Sequence, residues 1–224
     1  MIALALDTAT EALGICLQVD ERLSTVILKA GLKHCETLLP WLNQLFREAG
    51  ISPRNLDLIV CSVGPGSFTG VRIGLATAKG LALGSGCTLV GVSNLDALAY
   101  RFRYFDGIVL PVLSALRRRY YASLYRQGER ISDYLDLSFD LLALRLQSWD
   151  RVLLTGAGAE SLLHLLKKEN KVRQITLDAG LALTDPQSLL QLGRKRAAGK
   201  EIPGQEVKPL YLRKSEAEIN LYGA

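Results

Sequence analysis

The chain has 224 residues, 49% of them apolar and 22% charged, and a formal net charge of +5. That balance suits one large domain or two small lobes with a real core. No run approaches the roughly 18 apolar residues of a membrane span, and the short apolar start ending at Asp7 reads as a strand and not a signal peptide, so a cytoplasmic protein without a membrane segment is expected.

Short apolar runs predict strands over 2–7, 13–19 and 23–29, the last two joined as a hairpin through Asp20-Glu21. An amphipathic helix follows over 34–49. Its apolar arc holds Leu38, Leu42, Leu45 and Ala49, widened by Leu39, Trp41 and Phe46. Pro40 must lie near its first turn or kink it. A strand at 57–63, a Gly-rich loop, a helix at 70–84, a strand at 87–92 and a helix near 94–101 come next. Tyr104–Gly107 marks a boundary between lobes. Beyond it the pattern gives strands at 108–114, 119–126 and 130–136, and a short helix at 140–147. A strand at 151–155, a helix at 159–169 and a strand at 172–177 follow. Asp185-Pro186, an N-cap with Pro at the first helical position, starts a helix running to about 198. The stretch 207–214 is extended. No internal repeat stands out.

Three strands, then alternating helices and strands, then a similar second set is the order of the actin, Hsp70 and sugar-kinase architecture. It is an α/β fold of two lobes, each a mixed sheet with helices, here 1–104 and 105–224. The C-terminal helix and the extended tail fall in the second range, with the tail able to return to the first lobe. Fold does not fix function, so the sites are argued separately.

Four cysteines, Cys16, Cys35, Cys61 and Cys87, form no CxxC pair, and three lie in strand-like apolar runs, so they read as buried reduced thiols. The two histidines, His34 and His164, share no metal-ligand spacing with them, so no metal site is expected. Charge is uneven. Residues 1–100 hold 7 Lys/Arg against 8 Asp/Glu, and the remainder 20 against 14. The densest basic stretch runs from Arg101 to Arg130, with Arg103, Arg117, Arg118, Arg119 and Arg126 between them. It could meet nucleic acid or an acidic partner; the plainer reading is a solvated strand edge.

The loop and helix read SVGPGSFTGVRIGLATAKGLALG over 62–84. A strand before it and a helix after it are the context of a phosphate cradle. The spacing is wrong. GxxxxGK[ST] would need Gly at Thr69 or Val71, and GxGxxG misses by one because Gly64 and Gly66 are followed by Gly70. GxSxG fails too, with Pro65 and Thr69 flanking Ser67. In a kinase of this architecture the first hairpin holds phosphate. Here DTATEALG offers oxygens from Asp7, Thr8 and Thr10, but Ala9 stands where close approach favours Gly. Asp7 equally suits a strand end that caps a turn.

On a wheel of about 100° per residue, Gly70, Ile73, Gly74, Thr77, Ala78, Gly80, Leu81 and Gly84 share one mostly small face. Arg72 and Lys79 lie opposite, flanked by Val71, Leu75 and Leu83. Interior glycines cost roughly 1 kcal/mol each against Ala, and close packing is the natural offset. A leucine at Gly74 or Gly80 is expected to disrupt that face. Apolar residues on both sides of the charges suggest a second contact surface.

ALALDTATEALGICL, KHCETLLPWLNQLFREAG, DLIVCSVGPGSFTGVRIGLATAKGLALG and LVGVSNLDALA resemble the bacterial TsaB family, also called YeaZ, and the likeness continues more loosely through YYASLY to PLYLRK. It covers essentially the whole chain, and its glycine-rich helix is the most specific part. The resemblance implies the two-lobed actin-like (ASKHA) fold. It also implies a non-catalytic role in making threonylcarbamoyladenosine at position 37 of tRNA, beside the catalytic paralogue TsaD and the small ATPase TsaE. The paralogue's metal-binding HxxxH corresponds to Asn94 and Leu98, neither an imidazole. In the family the first two N-lobe helices pack against the paralogue, or against a second copy. Carried over, the interface is His34, Leu38, Leu39, Leu42 and Phe46 on the first helix, and Gly70, Val71, Arg72, Gly74, Leu75, Ala78 and Lys79 on the second. ATP or ADP at the subunit junction would meet Asp7, Thr8, Gly64, Gly66, Ser67 and Thr69. Where many members read Asp-Ala-Arg, this chain reads Ser114-Ala115-Leu116. That puts in doubt any role of that acid and first Arg, though Arg117–Arg119 could partly substitute or contact tRNA. The alternative reading is an ATP-dependent small-molecule kinase of the same fold, resting on Asp7, Thr8 and the Gly64–Gly70 loop. A third is a basic tRNA-docking module.

Overall fold

A computed structural model describes residues 1–31, 33–115, 118–168, 174–178, 180, 184–199 and 206–213. The first lobe runs β1 (Ile2–Asp7), β2 (Ala12–Val19), β3 (Arg22–Lys29), α1 (His34–Ala49), β4 (Leu58–Ser62), α2 (Phe68–Ser85), β5 (Thr88–Val92) and α3 (Asn94–Tyr100). The second runs β6 (Ile108–Ala115), β7 (Arg119–Ala122), β8 (Tyr125–Arg126), β9 (Glu129–Arg130), β10 (Leu135–Ser138), α4 (Phe139–Leu146), β11 (Val152–Thr155), α5 (Ala159–Lys168), β12 (Ile175–Leu177) and α6 (Pro186–Ala198). Asp20, at φ 51°, begins the two-residue turn between β2 and β3. Pro40 sits inside α1, in its second turn rather than its first. Asp185 caps α6, accepting from the Ser188 amide at 2.9 Å, with Pro186 at the first position as its sequence predicts.

The two sheets repeat one plan. The first has strand order β3-β2-β1-β4-β5, antiparallel on the β2 side and parallel on the β4 side. The second, in the order β10-β7-β6-β11-β12, has the same arrangement about β6. The expected single strand over 119–126 is two pieces. β7 and β8 both pair with β6 in one unbroken register, and the gap lies opposite Leu110 and Pro111. Proline has no N–H to give the ladder. The next strand splits likewise. Between β9 and β10, Ser132 bonds back instead: the Leu124 amide donates to its Oγ at 2.9 Å.

β1 reads IALALD, and its alternation sorts the core. Leu4 and Leu6 face α1 and α2, together with Leu38, Leu42, Leu45, Phe46 and Leu75. Ala3 and Ala5 face the other way, and there Leu189 and Leu190 of α6 pack. Small residues let that helix come close; a Cβ on Gly193 would collide with Val60. So α6, last in the chain's second half, covers the first sheet. In the second lobe, α4 and α5 cover one face of the sheet, and α3 lies against the other.

Candidate functional site

The Gly-rich loop between β4 and α2 grips the turn of the first hairpin. Ser67 donates its amide to the Ala9 carbonyl at 2.7 Å, and Thr8 donates its hydroxyl to the Gly70 carbonyl at 2.7 Å. Added Cβ atoms would collide with the Ala9 carbonyl from Gly66, the Thr8 carbonyl from Gly70 and the Thr8 hydroxyl from Gly74. Ser67 Oγ also caps α2, accepting from the Gly70 amide at 3.2 Å. The glycines are therefore required where backbone meets backbone, and the space of a phosphate cradle is taken by Thr8 and Ala9 of the same chain. Gly64, at φ 97°, occupies the left-handed region and is buried.

Asp7 closes the same region from below. It is 2% exposed, accepts from Thr184 Oγ1 at 2.6 Å and from the Ala9 amide at 3.0 Å. Thr184 rests on Gly14, the cross-strand neighbour of Asp7, where a Cβ would stand 2.8 Å from its hydroxyl. Burial raises the Asp7 pKa above the ordinary carboxylate range, partly offset by the Thr184 and Ala9 hydrogen bonds. Of the residues expected to meet nucleotide, Asp7, Thr8 and Gly64 are enclosed, while Gly66, Ser67 and Thr69 are exposed on the loop. The arrangement does not fit a nucleotide seated in the hairpin.

Sequence reasoning missed a second loop of the same grammar, TGAGA at 155–159, running from β11 into α5. Its glycines serve the same end. Gly156, at φ 95°, abuts the Val112 carbonyl, and a Cβ on Gly158 would stand 2.8 Å from the Ser114 amide. Asn94 donates its side-chain amide to the Pro65 carbonyl at 3.0 Å, and Leu98 lies in the core with Leu95 and Leu113. Among the described residues no three His, Cys, Asp or Glu side chains group as metal ligands.

The expected partner interface divides. His34, Leu38, Leu42, Phe46, Gly70, Val71, Gly74, Leu75 and Ala78 are buried in the lobe's own core, with His34 Nε2 2.8 Å from the Thr10 carbonyl. Leu39, Arg72 and Lys79 are exposed. The small face of α2 divides too. Gly70 and Gly74 press on the hairpin, whereas among the described residues no atom lies within 4 Å of a Cβ added at Gly80 or Gly84. Leu83, on the flank next to Gly80, is 89% exposed, and Leu39 on α1 is 54% exposed. Wheel geometry alone merges these two arcs, because it cannot say where the neighbouring hairpin ends.

Arg72 does not stand free. Its guanidinium carbon lies 3.7 Å from the Phe68 ring centre, and its Nε donates to the Tyr211 hydroxyl at 2.9 Å. Tyr211 stacks on Phe68 with centroids 5.0 Å apart, and the Leu210 amide donates to the Val63 carbonyl at 2.7 Å. The extended tail thus lies along the head of α2. The basic stretch is similarly engaged. Arg119 pairs with Asp136 at 2.7 Å, and Arg103, Arg118, Arg126 and Arg130 lie over Tyr100 and Tyr104, Phe139, Trp149 and Tyr134 respectively. Leu116 and Arg117 fall outside the described residues.

A family model described as TsaD, tRNA N6-adenosine threonylcarbamoyltransferase, matches residues 28–221. The tRNA threonylcarbamoyladenosine biosynthesis protein TsaB of Bacillus subtilis is 31% identical over 97% of this chain and 96% of its own length. A tRNA N6-adenosine threonylcarbamoyltransferase of Nitratidesulfovibrio vulgaris is 30% identical over 59% of this chain and 41% of its own. The solved structure of YeaZ from Pseudomonas aeruginosa superposes with a TM-score of 0.76 at 29% identity, covering 94% of this chain and 99% of that one. A ROK hexokinase from Thermus thermophilus, 13% identical, shares the fold with a TM-score of 0.51, over 88% of this chain and 100% of its own.

Proposed function

The chain belongs to the TsaB (YeaZ) family of tRNA threonylcarbamoyladenosine biosynthesis proteins, and on that premise we propose that it is a non-catalytic scaffold that docks the catalytic paralogue TsaD through the open side of α1 and α2. The observation that carries this reading is the divided α2. Among the described residues nothing lies within 4 Å of a Cβ added at Gly80 or Gly84, and Leu83, on the flank next to Gly80, stands exposed. Each interior glycine weakens the helix by roughly 1 kcal/mol. A second helix laid on that stripe would offset this by close approach and would bury Leu83. On α1, Leu39 is a second exposed apolar side chain. A second copy of this chain offers the same stripe, so a homodimer competes for it.

A non-catalytic role accords with the contacts at the hairpin. The alternative reading, an ATP-dependent kinase, would need an open approach to Asp7 and Thr8, and both are enclosed. Where the assembly with TsaD and TsaE holds ATP or ADP at its junction, the exposed Gly66, Ser67 and Thr69 are this chain's points of contact. tRNA reaches the chain through the complex.

Mixing this chain with its paralogue is expected to give a heterodimer by size-exclusion chromatography and to switch on tRNA modification. Leu83→Glu places a charge in the proposed contact and should weaken association by about tenfold or more, with an unchanged melting temperature. Elution as two separate species, with no gain in modification, would sink the proposal. Micromolar binding of Mg-ATP to the isolated chain would favour the kinase instead.

A further inference from the structure

Every residue of α3 is buried, as suits a helix with neighbours on all sides. Ala97 packs with the first sheet and α6. Ala99 packs with Val109, Tyr125 and Leu153 of the second lobe, and Leu95 and Leu98 pack with Leu113, Tyr121 and Tyr134. One seven-residue helix therefore shares core with both sheets. At its centre Asp96 is 8% exposed. The Tyr125 hydroxyl donates to Asp96 Oδ1 at 2.6 Å, and the Tyr134 hydroxyl to Oδ2 at 2.7 Å. Arg196 donates from Nη2 to Oδ2 at 2.8 Å and from Nη1 to the Gly91 carbonyl at 2.8 Å. The two tyrosines belong to the second lobe, and Arg196 sits on α6 against the first sheet.

Charge-assisted hydrogen bonds of this kind are the strong ones, and a buried acceptor that loses its donors has little water to replace them. Two-lobed proteins commonly close around ligands by hinge motion. A hinge here would strip Asp96 of its tyrosines or part Leu95 and Leu98 from Leu113. Relative lobe motion is the default expectation only where the interface is not large and hydrophobic. Burial, with the Asp96 charge, pushes the Tyr134 hydroxyl up to about 12 and raises Tyr125 as well, so both remain donors at neutral pH.

We infer that α3 and the Asp96 clamp lock the two lobes into one rigid body, so that this chain does not undergo the lobe closure its architecture otherwise permits. The docking helices and the second lobe then hold one fixed angle, and a partner seated on α1 and α2 meets the second lobe in a set position.

Spin labels at Glu48 and Leu144, both exposed on helices of different lobes, report the interlobe distance in the full chain. Cys35 and Cys87 are replaced by Ser, and labelled protein is diluted with unlabelled protein to remove distances between copies. The expected result is one narrow distribution, unchanged by Mg-ATP. Asp96→Ala should broaden it or add a second population, and should speed hydrogen exchange across 94–100 and 123–134 by at least about tenfold, the factor implied by losing even one of its three hydrogen bonds to a charged group. Asp96→Asn, which keeps an acceptor without the charge, should fall between. If Asp96→Ala does not fold, the double variant Tyr125→Phe with Tyr134→Phe removes both second-lobe donors and keeps the rings; it should broaden the distribution too. Two populations in the parent, or a narrow distribution in every folded variant, would overturn the inference.

Discussion

Gly74 and Gly80 look alike in the sequence and should behave oppositely. A methyl at Gly74 meets the Thr8 hydroxyl, so Gly74→Ala should lower stability by about 1–3 kcal/mol, the usual range for overpacking. A methyl at Gly80 meets no described atom within 4 Å, so Gly80→Ala should raise the stability of the isolated chain by about 1 kcal/mol. Urea unfolding measures both; equal effects would show that the two arcs of α2 are not distinct. Asp7 gives a pH signature. Its folded pKa is raised, chiefly by burial, so the folded state holds a proton that the unfolded state releases sooner. Stability from this residue is therefore greatest below the usual carboxyl pKa of about 4 and declines as pH rises toward the raised folded value. Asp7→Asn should flatten that decline, gaining on the parent in melting temperature from acid to neutral pH; parallel curves would contradict it. Asp7 and the loop glycines were visible as candidates in the sequence. Their enclosure was not, because Thr184, 177 residues away, supplies the hydroxyl that covers Asp7.

Most element boundaries were legible, because apolar periodicity and the Asp185-Pro186 start act within one turn of chain. α2 starts two residues earlier than its periodicity suggests because Ser67 caps it. The breaks between β7 and β8 and between β9 and β10 were not legible. They depend on Pro111 in the neighbouring strand and on the Ser132 bonds to Ser123 and Leu124. The tail is the clearest non-local element. Tyr211 is 43% exposed, yet it joins Phe68 and Arg72 in one stack. Tyr211→Ala should cost roughly 1 kcal/mol from lost stacking and cation–π contact and speed amide exchange at Leu210, which bonds the Val63 carbonyl. Tyr211→Phe should keep most of the stacking. Unchanged exchange in the alanine variant would mean the tail is held by its backbone and by Val207, which packs against the first lobe's core, alone.

At the scale of the molecule, two sheets of one topology repeat without a visible sequence repeat. Binary pattern can specify the same strand order with different side chains. The swap of α6 onto the first sheet and the placement of α3 between lobes tie the halves together, and both rest on small residues: Ala3, Ala5 and Gly193 for one, Ala97 and Ala99 for the other. The sequence by itself determined the order of helices and strands, the two-lobed class and the family, since these follow from local periodicity and from contiguous motifs. Only the tertiary structure decided which glycines of α2 are used within the chain and which stand open, that Thr8 and Ala9 fill the cradle, that Arg72 is taken by the tail, and that Asp96 joins the lobes. Each of these depends on residues distant in the chain meeting within a few ångströms, and no periodicity along one segment encodes what another segment will bring to it.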